Sequence, residues 1–112
     1  MKPYYVLDRD NTVQLAENFD TWMSWVRKNH ERMEVALTVY PHCHIRTMFL
    51  GVEANGEDRS PPAVFETVII GGEHDGQATP AADWAQARHN HARLCEFMAK
   101  EALGLHSPSF LE

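Results

Sequence analysis

The chain has 112 residues, which suits one domain and is too short for two of ordinary size. Hydrophobic residues make up 44% of it, which is enough to fill a core and argues against global disorder. Ten basic and sixteen acidic residues give a net charge of −6, so nucleic acid is a disfavoured partner because its phosphates repel an acidic surface. No apolar run reaches the roughly 18 residues that span a bilayer, and the first residues lack the hydrophobic region of a secretory signal. We therefore expect a cytoplasmic protein with no membrane partner.

The N-terminal part predicts a hairpin followed by a helix. Residues 4–7 and 12–15 are short β-rich runs, and residues 8–11 between them have the Asp and Asn content of a tight turn. A helix is predicted over residues 18–29, with Asn18 as its N-cap. Its apolar positions fall on one helical face and are Phe19, Trp22, Met23 and Val26.

The middle of the chain predicts three consecutive strands. They span residues 34–40, 44–52 and 63–70, with a turn at 41–43 and a charged loop at 53–60 that we expect to be mobile. Strands that follow one another through such short connections favour an antiparallel meander.

The C-terminal part predicts a loop and a second helix. Gly71 and Gly72 end the third predicted strand, and residues 73–80 form a polar loop. The second helix is predicted over residues 81–102, with Gly104 as its C-cap. The helix carries one apolar stripe, formed by Trp84, Ala87, His91, Leu94, Cys95, Met98 and Ala102.

These elements predict one α+β domain over residues 1–105. An antiparallel sheet, made of a three-strand meander plus a short N-terminal hairpin, would pack against two helices. Residues 106–112 would form a C-terminal tail, and its last two residues resemble a cloning scar.

Histidines and cysteines offer a possible zinc site. His42 and His44 flank Cys43 and would share one face of a strand, while His91 and Cys95 are four residues apart on one helical face. His42, His44, His91 and Cys95 could together supply four ligands. The chain has no Cys-x-x-Cys pair and no His-Glu-x-x-His motif, so the alternative is a surface His pair and a packed His91. Cys43 and Cys95 are expected to be free thiols.

Three polar residues interrupt apolar segments and are candidate binding residues. Glu66 lies in an otherwise apolar strand and needs a partner, for which Arg46 on the preceding strand is the nearest cation. His91 lies within the apolar stripe of the second helix. One alternative is structural, with an Arg46–Glu66 ion pair and a His91 satisfied inside the core. The other is functional, with the three residues lining a small-molecule or nucleotide pocket between sheet and helix.

Catalytic patterns are weak. The serines lack the Gly-x-Ser-x-Gly context of a nucleophile elbow. Cys43 cannot easily be activated by an adjacent histidine, because neighbours on a strand point to opposite faces. We therefore predict no catalytic residue and no cofactor.

Two strand motifs carry a family resemblance. They are Phe49-Leu50-Gly51 and Pro62-x-x-Phe65-Glu66-Thr67-x-x-x-Gly71-Gly72, followed by an Ala-rich helix with His91. This order resembles a family of small uncharacterised proteins encoded by bacteriophages, prophages and bacteria. Its members show an "FLGLDH"-like strand, a "PPLxFETMVFGG"-like strand and a helix with "EAxxGH". The chain departs from this pattern at Val52-Glu53, where the family has Leu-Asp before a His, and at Asn90, where it has Gly.

The resemblance implies a small, soluble, phage-linked protein that is not an enzyme. Together with the acidic charge and the weak catalytic patterns, it favours a module that binds another protein, such as a host or defence component. Self-association through a strand at the edge of the sheet is an open alternative.

Overall fold

The computed structural model describes residues 3–102. In chain order the elements are β1 (Tyr5–Leu7), β2 (Val13–Leu15), α1 (Phe19–Asn29), a 3₁₀ helix (His30–Met33), β3 (Glu34–Val39), β4 (His44–Phe49), a short 3₁₀ turn (Ala54–Gly56), β5 (Phe65–Ile70), β6 (Ala78–Ala81) and α2 (Trp84–Ala102). The predicted α+β class is confirmed. Within residues 3–102, no helix combines the length and the apolar character needed to cross a membrane.

The main sheet is an antiparallel meander of four strands in the order β3-β4-β5-β6, not the predicted three. The fourth strand, β6, lies where the sequence predicted the end of a loop. Its residues Ala-Thr-Pro-Ala show no apolar alternation, and Pro80 suits only an edge strand. β6 is specified by its pairing with β5, in which Thr79 lies opposite Thr67, and a local sequence pattern does not reveal such a partner.

The predicted N-terminal hairpin is confirmed, with Tyr5 opposite Leu15, but it forms a separate two-stranded sheet and is not part of the main sheet. Its turn is organised by Asp8, whose Oδ1 accepts the backbone N–H groups of Asp10 at 2.8 Å and Thr12 at 3.0 Å. Asn11 adopts a φ of 61°, a left-handed conformation that Asn tolerates better than most residues. Asp8 and Asn11, which predicted a turn from the sequence, therefore form the turn of this hairpin.

Helix α1 begins as predicted, since the Asn18 side chain accepts the backbone N–H of Thr21 at 2.8 Å. It packs mainly on β1 and the 3₁₀ helix instead of on the open sheet, and none of its residues is fully buried. Phe19, the first residue of the predicted apolar stripe, is 50% exposed. Trp25, outside that stripe, makes the core contact, with its ring centroid 5.6 Å from that of Phe49. Helix α1 therefore packs on the hairpin and contacts the main sheet through Trp25.

Helix α2 covers one face of the main sheet. It begins at Trp84 and not at residue 81, because the Asp83 carboxylate caps it by accepting the N–H of Gln86 at 2.7 Å. Its buried residues are Ala87, His91, Leu94 and Phe97, the last of which the predicted stripe omitted. Gly104, the predicted C-cap, and the predicted tail lie outside the described residues.

The loop between β4 and β5, predicted to be mobile, is held at both ends by Glu53. Its two carboxylate oxygens accept the backbone N–H groups of Arg59 and Ala63, each at 2.6 Å. The Arg59 guanidinium also lies 3.2 Å from this carboxylate. Glu53, one of the departures from the family pattern, therefore connects the first part of this loop to its last part.

Candidate functional site

The two faces of the main sheet differ in cover. Ile45, Phe49, Phe65 and Ile69 are fully buried on the inner face, beneath α2 and the residues around it. The opposite, outer face consists of three rows that run across the strands: Val39, His44 and Ile70; Leu37, Arg46, Val68 and Ala78; Glu34, Met48, Glu66 and Pro80. Among residues 3–102, no helix packs over the outer rows.

Large apolar side chains on the outer face meet solvent. Leu37 is 43% exposed, Val39 63% and Ile70 43%. Glu34, Arg46 and Glu66 are the only Asp, Glu, Lys or Arg residues in the three rows, so the local charge is 1 − 2 = −1 out of −6 for the chain. The outer face is therefore apolar and weakly charged, although the protein is acidic.

Strand β3 forms an open edge of the sheet. The Tyr40 N–H donates to the Cys43 carbonyl at 2.8 Å. Tyr40 and Cys43 therefore form a hydrogen-bonded pair where the chain turns from β3 into β4. Antiparallel pairs alternate between bonded and non-bonded. Thr38 therefore forms backbone hydrogen bonds with Ile45 of β4. Leu37 and Val39 lie at non-bonded positions, so their N–H and C=O groups point toward the open edge. The open backbone groups and the exposed apolar side chains thus belong to the same two residues.

The predicted Arg46–Glu66 ion pair does not form. Arg46 lies opposite Val68, whereas Glu66 lies opposite Met48. The Arg46 Nε donates instead to Glu34 Oε1 at 3.1 Å, with both side chains close to half exposed. Because the outer face is open to solvent, the Glu66 carboxylate can be hydrated and needs no internal counter-ion.

His91 is the centre of a buried hydrogen-bond network. Its Nδ1 lies 2.8 Å from Thr47 Oγ1, and its Nε2 lies 2.9 Å from Thr38 Oγ1. Thr47 Oγ1 also forms a hydrogen bond with Thr67 Oγ1, at 2.7 Å, which extends the network to β5. Burial, with the charge of Arg88, lowers the pKa of His91, so the ring is neutral and one nitrogen donates while the other accepts. His91 therefore joins α2 to three strands through satisfied bonds.

The predicted binding residues lie on opposite sides of the sheet. Arg46 and Glu66 are on the outer face, whereas His91, which is 7% exposed, lies on the side of α2 that packs on the inner face. The structure therefore separates His91 from Arg46 and Glu66, so the three residues do not line one pocket.

The predicted metal ligands are separated in the same way. His44 is exposed on the outer face and His42 is exposed in the turn, while His91 is buried. Cys95 donates its thiol to Thr38 Oγ1 at 3.4 Å. Cys43 and Cys95 are both free, as predicted.

A second polar cluster, which the sequence did not predict, lies at one end of the sheet. Ligand atoms of Glu73, His74 and Glu101 all lie within 4.8 Å of one another. They line a cavity of about 610 Å³ whose wall also includes His42 and Cys43. The only signal in the sequence was the Gly-Gly pair before Glu73, which we interpreted as a strand end.

The same glycines build this end of the molecule. Gly71 and Gly72 have φ values of 88° and 75°, and a Cβ on Gly72 would lie 3.2 Å from the carbonyl oxygen of His42. Glycine therefore lets the β5–β6 loop approach the β3–β4 turn closely. Tyr40, also in the cavity wall, donates its hydroxyl to the Cys95 carbonyl at 3.3 Å. Burial, followed by the interaction with the Cys95 side chain, raises the pKa of Tyr40 to about 12, so its hydroxyl stays protonated.

Comparisons with models of protein families, with curated proteins and with solved structures find no match to this chain. The resemblance to the phage-encoded family therefore stays a prediction. Function has to be inferred from the geometry of the described residues.

Proposed function

We propose that this protein is a phage- or prophage-associated, cytoplasmic protein-interaction module that binds an extended segment of another protein along β3. One observation carries the proposal. Leu37 and Val39 combine open backbone hydrogen-bonding groups with exposed apolar side chains. A partner strand can use both features at once.

Strand addition suits this edge better than the opposite one. An exposed edge offers main-chain bonds that give affinity, while side chains that alternate along the added strand give specificity. β6 carries Pro80, which has no N–H to donate. β3 has no proline in its six residues. A partner strand is therefore expected at β3.

The outer face indicates the chemistry of the partner. A strand added beside β3 would place every second side chain next to Leu37 and Val39, so those positions should be apolar. Arg46 compensates Glu34, which leaves Glu66 as the uncompensated carboxylate of the outer rows. With the net charge of −6, this favours a lysine or arginine in the partner segment.

The family resemblance suggests where such a partner would come from. The two strand motifs are similar to those of a phage- and prophage-encoded family, so the expected partner is a phage protein or a protein of the bacterial host, including a defence component. The resemblance supports a binding role without specifying the partner.

A small-molecule site between the sheet and α2 is less well supported. Both ring nitrogens of His91 are already bonded to threonine hydroxyls, and the residue is 7% exposed. A ligand would have to displace these bonds inside the core, which would leave buried polar groups without partners.

The proposal can be tested with a purified partner. Immobilised full-length protein would be used to capture candidate partners from the bacterial host, and each candidate would then be purified and its affinity measured by calorimetry. Val39→Pro removes the outward N–H without removing a bond to β4, so we expect it to weaken binding by about tenfold or more. Val39→Thr keeps the N–H and should weaken binding less.

Leu15→Thr is the matched control, because Leu15 is 68% exposed but lies on the separate hairpin. It should leave the affinity unchanged. If Val39→Pro binds the purified partner as tightly as the wild type, the β3 edge is not the binding surface. If the protein forms a dimer that Val39→Pro dissociates, a second copy occupies the edge, and the proposal of a foreign partner is wrong.

A further inference from the structure

Glu73, His74 and Glu101 form a cluster with metal-binding chemistry that goes beyond the proposed protein interaction. The His74 Nε2 lies 2.8 Å from one carboxylate oxygen of Glu101 and 3.1 Å from the other. Glu73 brings a second carboxylate to the same point, within 4.8 Å of both ligand atoms. One imidazole nitrogen and two carboxylates therefore converge on one position.

The cluster has a supporting shell. The His74 ring packs edge-on against the buried Phe97, with ring centroids 5.3 Å apart, which fixes the direction of its Nε2. The β5–β6 loop is closed by the Asp75 carboxylate, which accepts the N–H of Gly71 at 2.5 Å. Orientation of ligands by such neighbouring groups is typical of metal sites.

We propose that Glu73, His74 and Glu101 bind one divalent first-row transition-metal ion, with Zn²⁺ as the ion of best fit. Zn²⁺ accepts both imidazole nitrogen and carboxylate oxygen, at bond lengths of about 2.0–2.2 Å. Tetrahedral geometry then separates neighbouring ligand atoms by about 3.3 Å. One pair of ligand atoms is 2.8 Å apart, and all three atoms lie within 4.8 Å of one another, so this spacing is within reach. Small side-chain rotations would close the site.

The surroundings favour such an ion over a harder one. Ca²⁺ and Mg²⁺ prefer six or more oxygen ligands, whereas an imidazole ligand favours zinc and its neighbours. A histidine that binds a metal is neutral, so the two carboxylates give the site a charge of −2, which a divalent cation would compensate. The cavity of about 610 Å³ beside the cluster leaves room for water or an exogenous ligand at the fourth position, and His42 lies in its wall.

The ordinary alternative is an ion pair between His74 and Glu101 that ties the β5–β6 loop to α2. Their side chains are 22% and 26% exposed, and pairs with such access to solvent contribute little to stability. An ion pair of this kind gives Glu73 no role. Metal binding requires it, so Glu73 distinguishes the two explanations.

Calorimetric titration of tag-free, chelator-treated full-length protein with Zn²⁺ tests the site. We expect one Zn²⁺ to bind per chain, and we expect Mg²⁺ and Ca²⁺ to release much less heat in the same titration. Glu73→Gln and His74→Gln should each lower the zinc affinity by about tenfold or more. His44→Gln is the matched control, because it removes an exposed imidazole on the outer face and should leave the affinity unchanged.

Two results would overturn the site. One is the absence of zinc binding by the wild type at about 1 mM Zn²⁺, a concentration at which even a very weak site would be half occupied. The other is unchanged affinity in Glu73→Gln, whose exposed position makes misfolding an unsuitable explanation. Both results are independent of the β3 edge, so failure here leaves the proposed protein interaction standing.

Discussion

The two faces of one sheet reverse the usual distribution of side chains. The inner face buries Thr47, Thr67 and His91, whereas the outer face exposes Leu37 and Val39. The polar inner groups need no function to explain them, because each has a hydrogen-bond partner inside the fold. The exposed apolar groups have no such structural explanation in the described chain. The difference indicates that the inner face stabilises the fold, and it supports the proposed binding role of the outer face.

Among changes on the inner face, the removal of the His91 side chain should lower the free energy of unfolding most. His91→Ala leaves a cavity beneath α2 and takes a partner from the hydroxyls of Thr38 and Thr47. We expect the free energy of unfolding to fall by about 2–4 kcal/mol, measured by urea denaturation. His89→Ala, an exposed residue of the same helix, should change it by less than about 0.5 kcal/mol. Equal effects of the two variants would show that the buried network does not stabilise the fold.

A reciprocal exchange of hydroxyl and methyl groups compares the faces more closely. Thr47→Val removes the hydroxyl that bonds both Thr67 and His91, and should lower the free energy of unfolding by about 1–3 kcal/mol. Val39→Thr makes the opposite change at a position that is 63% exposed, and should alter it by less than about 0.5 kcal/mol. Urea midpoints of the two variants check this. A larger loss for Val39→Thr would show that the outer face is part of the stabilising core.

The smallest expected effect on the inner face is a dependence of stability on pH. Burial and the charge of Arg88 lower the pKa of folded His91 below its ordinary value of 6.5. The unfolded chain therefore binds more protons than the folded one as the pH falls below 6.5, and stability is lost from there down through the folded-state pKa. Above 6.5 both states are neutral at this residue, and its contribution does not change with pH.

Urea midpoints measured between about pH 8 and about pH 5 would show this slope. His91→Gln keeps hydrogen-bonding groups but does not titrate, so its slope in this range should be shallower than that of the wild type. A His91→Gln slope equal to that of the wild type would mean that another group controls the pH dependence.

The parts of the fold that are specified locally were predictable from the sequence. Asp8 and Asn11 formed the predicted turn, Asn18 capped α1, and the strands around Arg46 and Glu66 formed the expected meander. β6 was missed because its strand conformation depends on β5 and not on its own residues. Trp25 was missed because α1 packs at the end of the sheet, on a side that periodicity alone does not specify.

The candidate sites were harder to predict because they depend on distant residues. His91 lies in a helical stripe, but its two threonine partners, Thr38 and Thr47, come from β3 and β4 and are not visible until the strands are in register. The Arg46–Glu66 expectation was wrong because the register sets Glu66 opposite Met48. Glu73 and His74 meet Glu101 only after Gly71 and Gly72 turn the loop toward α2.

Residue-resolved amide exchange, followed by NMR in the free protein and in its complex with the purified partner, tests the central claim most directly. In the free protein, the amides of Leu37 and Val39 should exchange quickly, and that of Thr38 slowly, because Thr38 pairs with β4. In the complex, Leu37 and Val39 should become protected while Thr38 changes little. Unchanged exchange at Leu37 and Val39, with protection elsewhere on the molecule, would contradict the assignment of binding to the β3 edge.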